Sequence, residues 1–234
     1  MYGSKGCPFK CTFCAWPQTM YFGNVALRSP ENIAEEIRDA VEKYGFKSIF
    51  FDDDTFNLGT KRISKLCDYL KEISLPWTMM GRLDISPNWL YDKMVDSGCV
   101  GMRFGIETFN IDVLKNIEKG IERRDFRKTL EYICLTYPEV MIHITMMSDM
   151  PGQTAKDTEI DMNIIKEMGF TNENILRSYQ LSKCAPFPGT KLYEQMQSRL
   201  DDATLKTYKA YDGGQDTIMK VSKKKTSTHI ETWS

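Results

Sequence analysis

Short apolar runs alternate with longer amphipathic stretches along most of this 234-residue chain, and this alternation restricts the possible folds most strongly. Strand-like runs that are each followed by a helical period are typical of βα units around a parallel sheet. The predicted strands are a stub at 2–5, then 48–51, 77–80, 100–106, 140–147 and 175–181. The predicted helices are 30–44, 60–73, 89–96, 111–117, 124–136, 155–168 and 191–199. About six such units predict an α/β fold, a partial (βα)6 TIM-like barrel, since a closed eight-unit barrel takes about 250 residues.

The same pattern weakens near the C-terminus, so we assign residues 1–200 to the barrel and 201–234 to a tail or the start of an extension. The net charge of −1 lacks the basic footprint of a nucleic-acid-binding domain, and we do not expect a nucleic-acid partner. No run approaches the ~18–20 apolar residues of a membrane helix. The N-terminus also lacks the apolar core of a signal peptide, so we expect a cytoplasmic protein.

Three of the seven cysteines lie in one short loop, as Cys7, Cys11 and Cys14. Their C-x3-C-x2-C spacing suits three irons of a cubane iron–sulfur cluster, which is ligated by thiolates. Three ligands for four irons leave one iron with an open position, as catalytic zinc sites also do. The alternatives are a structural zinc site with a distant fourth cysteine, a disulfide with one free thiol, and chance spacing of core cysteines.

This loop, with Phe13 before the third cysteine, resembles the signature of the radical S-adenosylmethionine (SAM) superfamily. The resemblance implies a [4Fe–4S] cluster on the three cysteines and SAM chelated to the unique iron through its amino and carboxylate groups. It also implies one-electron cleavage of SAM to methionine and a 5′-deoxyadenosyl radical. The fold of the family, a partial (βα)6 barrel, agrees with the count of units above.

Polar residues follow the predicted strands, where the active sites of α/β barrels lie. Asp52, Asp53 and Asp54 follow the second strand, and three adjacent carboxylates repel one another unless a cation is near. They resemble the family motif that holds the ammonium group of SAM, and we expect Asp53 and Asp54 to do so. Which of the three faces the cofactor stays open, and capping of the next helix is the other interpretation. Arg82, after the third strand, pairs with a cofactor or substrate carboxylate, or with Asp84 at the surface.

Three further segments resemble family elements. Glu107 lies in a Gly-x-Glu-Thr element that closes the fourth strand, and in the family the acidic residue of this element binds the nucleoside or methionine end of SAM. Met147 ends the fifth strand before Ser148–Thr154, similar to a Gly-Leu-Pro-Gly-Glu-Thr turn against the adenine, although Asp149 and Gln153 depart from that pattern. Pro186 lies in a Pro-x-Pro-Gly-Thr stretch after the sixth strand. We therefore count as cofactor-binding Phe13, Asp53, Asp54, Arg82, Glu107, Met147 and Pro186.

The combined motifs look most like the branch whose members often carry an N-terminal cobalamin-binding domain, and many of these methylate unreactive centres. This chain opens almost at the cysteine loop, so we expect a fragment, a cobalamin module on another polypeptide, or an enzyme without cobalamin. A small-molecule substrate and a reducing protein such as flavodoxin or ferredoxin follow from the resemblance. The alternatives are a methylthiotransferase, a coproporphyrinogen-type oxidase, and a truncated non-catalytic barrel that binds a metal or a partner.

Overall fold

The computed structural model describes residues 1–120 and 125–196, which form a five-stranded parallel sheet, a two-stranded antiparallel sheet and the helices between the strands. The strands are β1 (Ser4–Lys5), β2 (Ala26–Leu27), β3 (Ile49–Phe51), β4 (Trp77–Gly81), β5 (Cys99–Glu107), β6 (Met141–Ser148) and β7 (Arg177–Lys183). The α-helices are α1 (Pro30–Tyr44), α2 (Thr60–Ile73), α3 (Asn88–Asp96), α4 (Ile111–Asn116), α5 (Phe126–Thr136), α6 (Ala155–Glu167) and α7 (Lys191–Met196). Strands β3 to β7 pair in chain order and in parallel, which confirms the predicted α/β fold.

Helix α1 shows how local sequence sets the element boundaries. The Ser29 side chain accepts a hydrogen bond from the Asn32 backbone N–H, and Pro30 occupies the first turn, where its missing N–H costs nothing. Gly45 ends the helix in the left-handed conformation, with φ of 67°. The predicted bounds of this helix are therefore confirmed.

Alternation along the strands separates two faces of the sheet. In β6 the residues Ile142, Ile144 and Met146 are buried against the helices, whereas His143 and Thr145 between them are half-buried on the other face. That second face is the concave interior of the barrel, because successive side chains of a strand point to opposite sides. The core on the helix side also contains Phe51, Phe56, Trp77, Met79, Leu90, Met102, Phe104, Leu130 and Ile165.

The predicted first strand at residues 2–5 is wrong in detail. Met1 pairs with β3 in the pattern of a parallel ladder. The Met1 amino group donates to Phe50 O at 2.7 Å, and Asp52 N donates to Met1 O at 3.0 Å. Strand β1 instead pairs antiparallel with β2. The chain turns away because the Asp53 carboxylate accepts from Gly3 N at 3.0 Å and from the hydroxyl of Ser4.

Several predictions reach beyond the described residues. The predicted ends of the helices at 124 and 197–199, and the boundary at 200–201, lie outside the described ranges, so the division into barrel and tail stays a prediction. Among the described residues, no helix is long and apolar enough to cross a membrane.

Candidate active site at the carboxyl ends of the strands

The cysteine loop lies over the carboxyl ends of the parallel strands. The Sγ atom of Cys7 is 3.4 Å from Oγ1 of Thr55, which follows β3. Thr12 N donates to Ile117 O at 2.9 Å, and Leu192 N donates to Thr12 O at the same distance. The loop is therefore held between the segment after α4 and the start of α7.

All seven cysteines are free thiols, so the alternative of a disulfide finds no support. Cys11 is buried, and Cys7 and Cys14 are half-buried. Burial raises the pKa of the Cys11 thiol, and the nearby cations of Lys119 and Arg82 oppose that shift. Burial also raises the pKa of Cys14 to about 12. Thiols in such a place become thiolates when a metal binds, because metal ligation requires deprotonation.

Two features of the loop suit an iron–sulfur cluster: its three free thiols, and one buried polar atom that lacks a hydrogen-bond partner within the described ranges. Thr12, between the second and third cysteines, is fully buried, and its Oγ1 has no hydrogen-bond partner among the described residues. A buried hydroxyl without a partner costs free energy, which a sulfide or thiolate acceptor relieves. In the described part of the chain, no three His, Cys, Asp or Glu side chains converge on one metal-ion position. A cubane needs no such convergence, since each cysteine ligates a different iron.

The three aspartates after β3 have different surroundings. Asp53 is fully buried, and its two oxygens accept from Gly3 N and the Ser4 hydroxyl, so it anchors the N-terminal segment. Asp52 is exposed and accepts from the hydroxyl of Tyr2 at 2.9 Å. Asp54 is half-buried beside the cysteine loop, where one oxygen accepts from the backbone of the loop. Burial, followed by its two acidic neighbours, raises the pKa of Asp54. Of the two predicted ammonium ligands, Asp54 keeps an oxygen available.

Arg82 is engaged within the protein. Its Nε and Nη2 donate to the two oxygens of Asp84 at 3.0 and 2.9 Å, and Nη2 also donates to Lys119 O at 2.7 Å. Its guanidinium lies 3.8 Å from the ring centre of Phe9 in the cysteine loop, a cation–π geometry. The expected pair with Asp84 is present, but it is buried rather than on the surface.

Glu107 is the most unusual residue of the site. It is buried, its φ is 68°, and the β5–β6 register shifts between Gly105 and Glu107. Bulges beside active sites re-aim side chains, and a left-handed non-glycine residue persists only where the surroundings impose it. The bulge aims Glu107 at Lys119, and the two form a buried ion pair. A Cβ at position 105 would lie 2.8 Å from Glu107 Oε1, so glycine there leaves room for the pair.

Sequence reasoning missed Lys119. It lies in the loop after α4, and the only local signal is a lysine before glycine in Ile117–Gly120. Its side chain is 7% exposed, which is rare for lysine without a partner. Lys119 therefore contacts three parts of the site. Its ammonium group pairs with Glu107, its charge acts on Cys11 in the cysteine loop, and its carbonyl oxygen accepts from the Arg82 guanidinium.

The turn after β6 accommodates both departures from the family pattern. Asp149 adopts φ of 61°, a left-handed conformation that aspartate tolerates better than most residues. The Gln153 side chain accepts from Met150 N at 3.2 Å and donates to Met147 O at 3.1 Å, which closes the turn. Met147 thus lies at the carboxyl edge of the sheet, and its carbonyl oxygen accepts the hydrogen bond from Gln153.

Two remaining predicted residues flank the site. Phe13 is half-buried and packs against the hydrophobic core. Pro186 is buried after β7, near Thr190, whose hydroxyl donates to Phe187 O at 2.6 Å. Neither position tests its predicted contact with a cofactor. Cys184 is buried after β7, and burial raises the pKa of its thiol to about 12.

Comparison with known proteins adds independent information. The family described as the Radical SAM superfamily matches residues 1–164. An uncharacterized methyltransferase of Pyrococcus horikoshii is 28% identical over 196 residues, which cover 82% of this chain and 40% of that protein. Bacteriochlorophyllide d C-12(1)-methyltransferase of Chlorobaculum tepidum is 26% identical over 216 residues, covering 89% of this chain and 44% of that protein. The chain therefore spans less than half the length of these relatives.

A solved structure agrees in fold. The radical SAM methyltransferase TsrM of Kitasatospora setae, with cobalamin and a [4Fe–4S] cluster bound, matches with a TM-score of 0.71 at 14% identity. The match covers 85% of this chain and 36% of the other. At this identity the likeness is evidence for the fold alone.

Proposed function

The chain belongs to the radical SAM superfamily, and from this membership we propose that it is the catalytic barrel of a SAM-dependent radical enzyme. The observation that carries the proposal is the placement of three free cysteines of one loop at the carboxyl edge of the sheet, beside the Glu107–Lys119 pair. When bound there, a [4Fe–4S] cluster and SAM supply one electron and the 5′-deoxyadenosyl radical that abstracts hydrogen from substrate.

We assign the chain's own residues to holding and positioning. Cys7, Cys11 and Cys14 each ligate one iron. Asp54 accepts from the ammonium group of SAM with its available oxygen, and Lys119 offers a cation to the carboxylate. Arg82 acts indirectly, because its contacts with Phe9 and Asp84 hold the cysteine loop against β4. The remaining predicted ligands, Phe13, Asp53, Glu107, Met147 and Pro186, line or support this edge.

We also propose that the reaction is methyl transfer to a small molecule by way of cobalamin on a separate domain or polypeptide. Two methyltransferase relatives and the cobalamin in TsrM support this outcome. We place the protein in the cytoplasm, because thiols stay reduced there. A flavodoxin or ferredoxin would supply the electrons.

The test is 5′-deoxyadenosine formation by the reconstituted chain under anaerobic conditions, with reductant and SAM. We expect product from the parent chain and none from Cys14→Ala, because one iron loses its ligand. Cys134→Ala is the matched control, since Cys134 is a half-buried cysteine on α5, outside the loop. Addition of cobalamin and candidate substrates then tests methyl transfer by the mass of the product.

A fully loaded cluster without 5′-deoxyadenosine would contradict the proposal and favour the non-catalytic barrel. A methylthio product would favour the methylthiotransferase, and an oxidised product without a methyl group the oxidase. A colourless protein that binds zinc at the three cysteines would support the structural alternative.

A further inference from the structure

A row of polar side chains crosses the concave interior of the barrel. The strand registers pair Arg103 with His143 and His143 with Ser178, so three adjacent strands contribute one residue each to this row. Nδ1 of His143 lies 3.0 Å from Oγ of Ser178. The side chains of the row point away from the helices, because their neighbours Met102, Phe104 and Ile142 are the buried ones.

Arg103 carries a positive charge that nothing in the described part of the chain neutralises. It makes no ion pair or hydrogen bond there, and its one aromatic contact is the Phe50 ring, 5.8 Å from the guanidinium carbon. The nearest acid along β5 is Glu107, which is already paired with Lys119. His143 adds ring nitrogens but no acid. Among the described residues, the row therefore contains a guanidinium cation without a carboxylate beside it.

This row borders a cavity of about 300 Å³. Phe50, Met141 and Ile175 give the cavity an apolar floor and side, whereas Arg103, His143 and Ser178 supply polar groups. The cavity is an open cleft, since Arg103, Phe50 and Ile175 are exposed, and a concave apolar site with a few convergent polar groups is typical of small-molecule binding. A guanidinium is well suited to a carboxylate or phosphate, because its planar donors match two oxygens.

The row lies on the same face of β5 as the candidate active site, nearer the start of the strand. Gly105 is the next residue of β5 on the same face, and the place of its absent Cβ lies near Glu107 Oε1, Lys119 Nζ and Thr145 Oγ1. Two residues along a strand span roughly 7 Å, so the backbone of Arg103 lies about that far from the backbone of Gly105. The ion pair fills the place that a side chain at position 105 would take.

We propose that Arg103, with His143 beside it, binds the acidic group, a carboxylate or a phosphate, of the small-molecule substrate inside the barrel. This inference rests on the proposed function, which places the reacting centre at the carboxyl edge above. The substrate is then a small acid whose reacting carbon is separate from its charged group. Guanidinium donors hold the two oxygens, and a ring nitrogen of His143 contacts one of them.

The test is histidine NMR on the full chain without cluster, reduced and without oxygen. The chain has two histidines, His143 and His229, so His229→Gln assigns both ring signals. We titrate inorganic phosphate in one arm and acetate in the other, at constant ionic strength. We expect a saturable shift of the His143 ring and an apparent affinity weakened about tenfold or more in Arg103→Met, since a charge-assisted contact is lost. Arg103→Lys should keep part of the affinity.

Arg38→Met is the matched control, since Arg38 is an exposed arginine paired with Glu72 on the outer helices. Saturation by phosphate alone identifies a phosphate-type substrate, and saturation by acetate a carboxylate. A shift that does not saturate, or one that Arg103→Met leaves unchanged in a folded variant, would overturn the inference. Because binding needs neither cluster nor SAM, its failure leaves a positive 5′-deoxyadenosine result intact. Conversely, binding without 5′-deoxyadenosine would defeat the proposed function and leave Arg103 as an anion site whose ligand is not the substrate of a radical reaction.

Discussion

Glu107 combines a left-handed backbone, a β-bulge and a buried ion pair with Lys119. Removing one partner of such a pair leaves an uncompensated charge, which costs about 3–5 kcal/mol. We therefore expect Lys119→Met to lower the free energy of unfolding by about that amount, measured by urea denaturation. Its 5′-deoxyadenosine formation should also be lost.

The double variant Glu107→Gln/Lys119→Met separates the two effects. Without a buried charge, its free energy of unfolding should recover most of the loss, whereas 5′-deoxyadenosine formation should stay absent. Recovery of both the free energy of unfolding and 5′-deoxyadenosine formation would mean that the pair only supports the fold. Recovery of neither would contradict the electrostatic explanation of the stability loss.

A second prediction at the scale of single residues concerns the pKa of His143. Burial, and then the charge of Arg103, lower its pKa below the ordinary value of 6.5. Arg103→Met should raise the pKa part of the way, because burial remains. The unfolded chain takes up this proton at a higher pH than the folded one, so this contribution to stability is present above pH 6.5 and declines as the pH falls. An NMR titration measures the pKa, and an unchanged value in Arg103→Met would contradict the assignment.

At the scale of elements, the turn after β6 depends on an amide that both donates and accepts. Gln153→Glu keeps the acceptor for Met150 N but places a carboxylate oxygen against Met147 O. We expect a loss of about 1–3 kcal/mol in the free energy of unfolding at neutral pH, since the donor is gone and the carbonyl is left unpaired. The loss should shrink in acid, where the protonated glutamate donates again.

The control for this turn is Asp149→Gly. Glycine accepts the left-handed conformation without strain but costs conformational entropy, so its net effect should stay within about 1 kcal/mol. Urea denaturation at several pH values measures both variants. A Gln153→Glu loss that does not depend on pH would contradict the hydrogen-bond explanation.

Local signals explain which elements could be predicted from the sequence. Helix α1 was predictable because Ser29, Pro30 and Gly45 act on their own neighbours. Strand β1 was not, because its direction depends on Asp53, about fifty residues away, which captures the backbone of the N-terminal segment. The role of Lys119 was hidden for the same reason, since only the bulge in β5 aims Glu107 at it.

At the scale of the whole molecule, the cysteine loop connects the two ends of the barrel. Gln18 donates to the carbonyls of Cys11 and Cys14 at 3.0 and 2.9 Å, while its oxygen accepts from Lys191 N at 2.8 Å. Lys191 also forms an ion pair with Glu118. The loop that is expected to ligate iron is therefore fastened directly to α7, which is the last described helix.

This connection predicts that cluster loading orders α7 as well as the loop. Binding to the folded state stabilises whatever must be formed for binding, so hydrogen exchange should slow together in residues 7–20 and 187–196. Helix α2, which packs on α1 and lies outside these contacts, should exchange at the same rate with and without the cluster. Gln18→Ala should uncouple the two segments, leaving protection in the loop and removing it from α7. Protection confined to the loop in the parent chain would mean that the loop binds its cluster without help from α7.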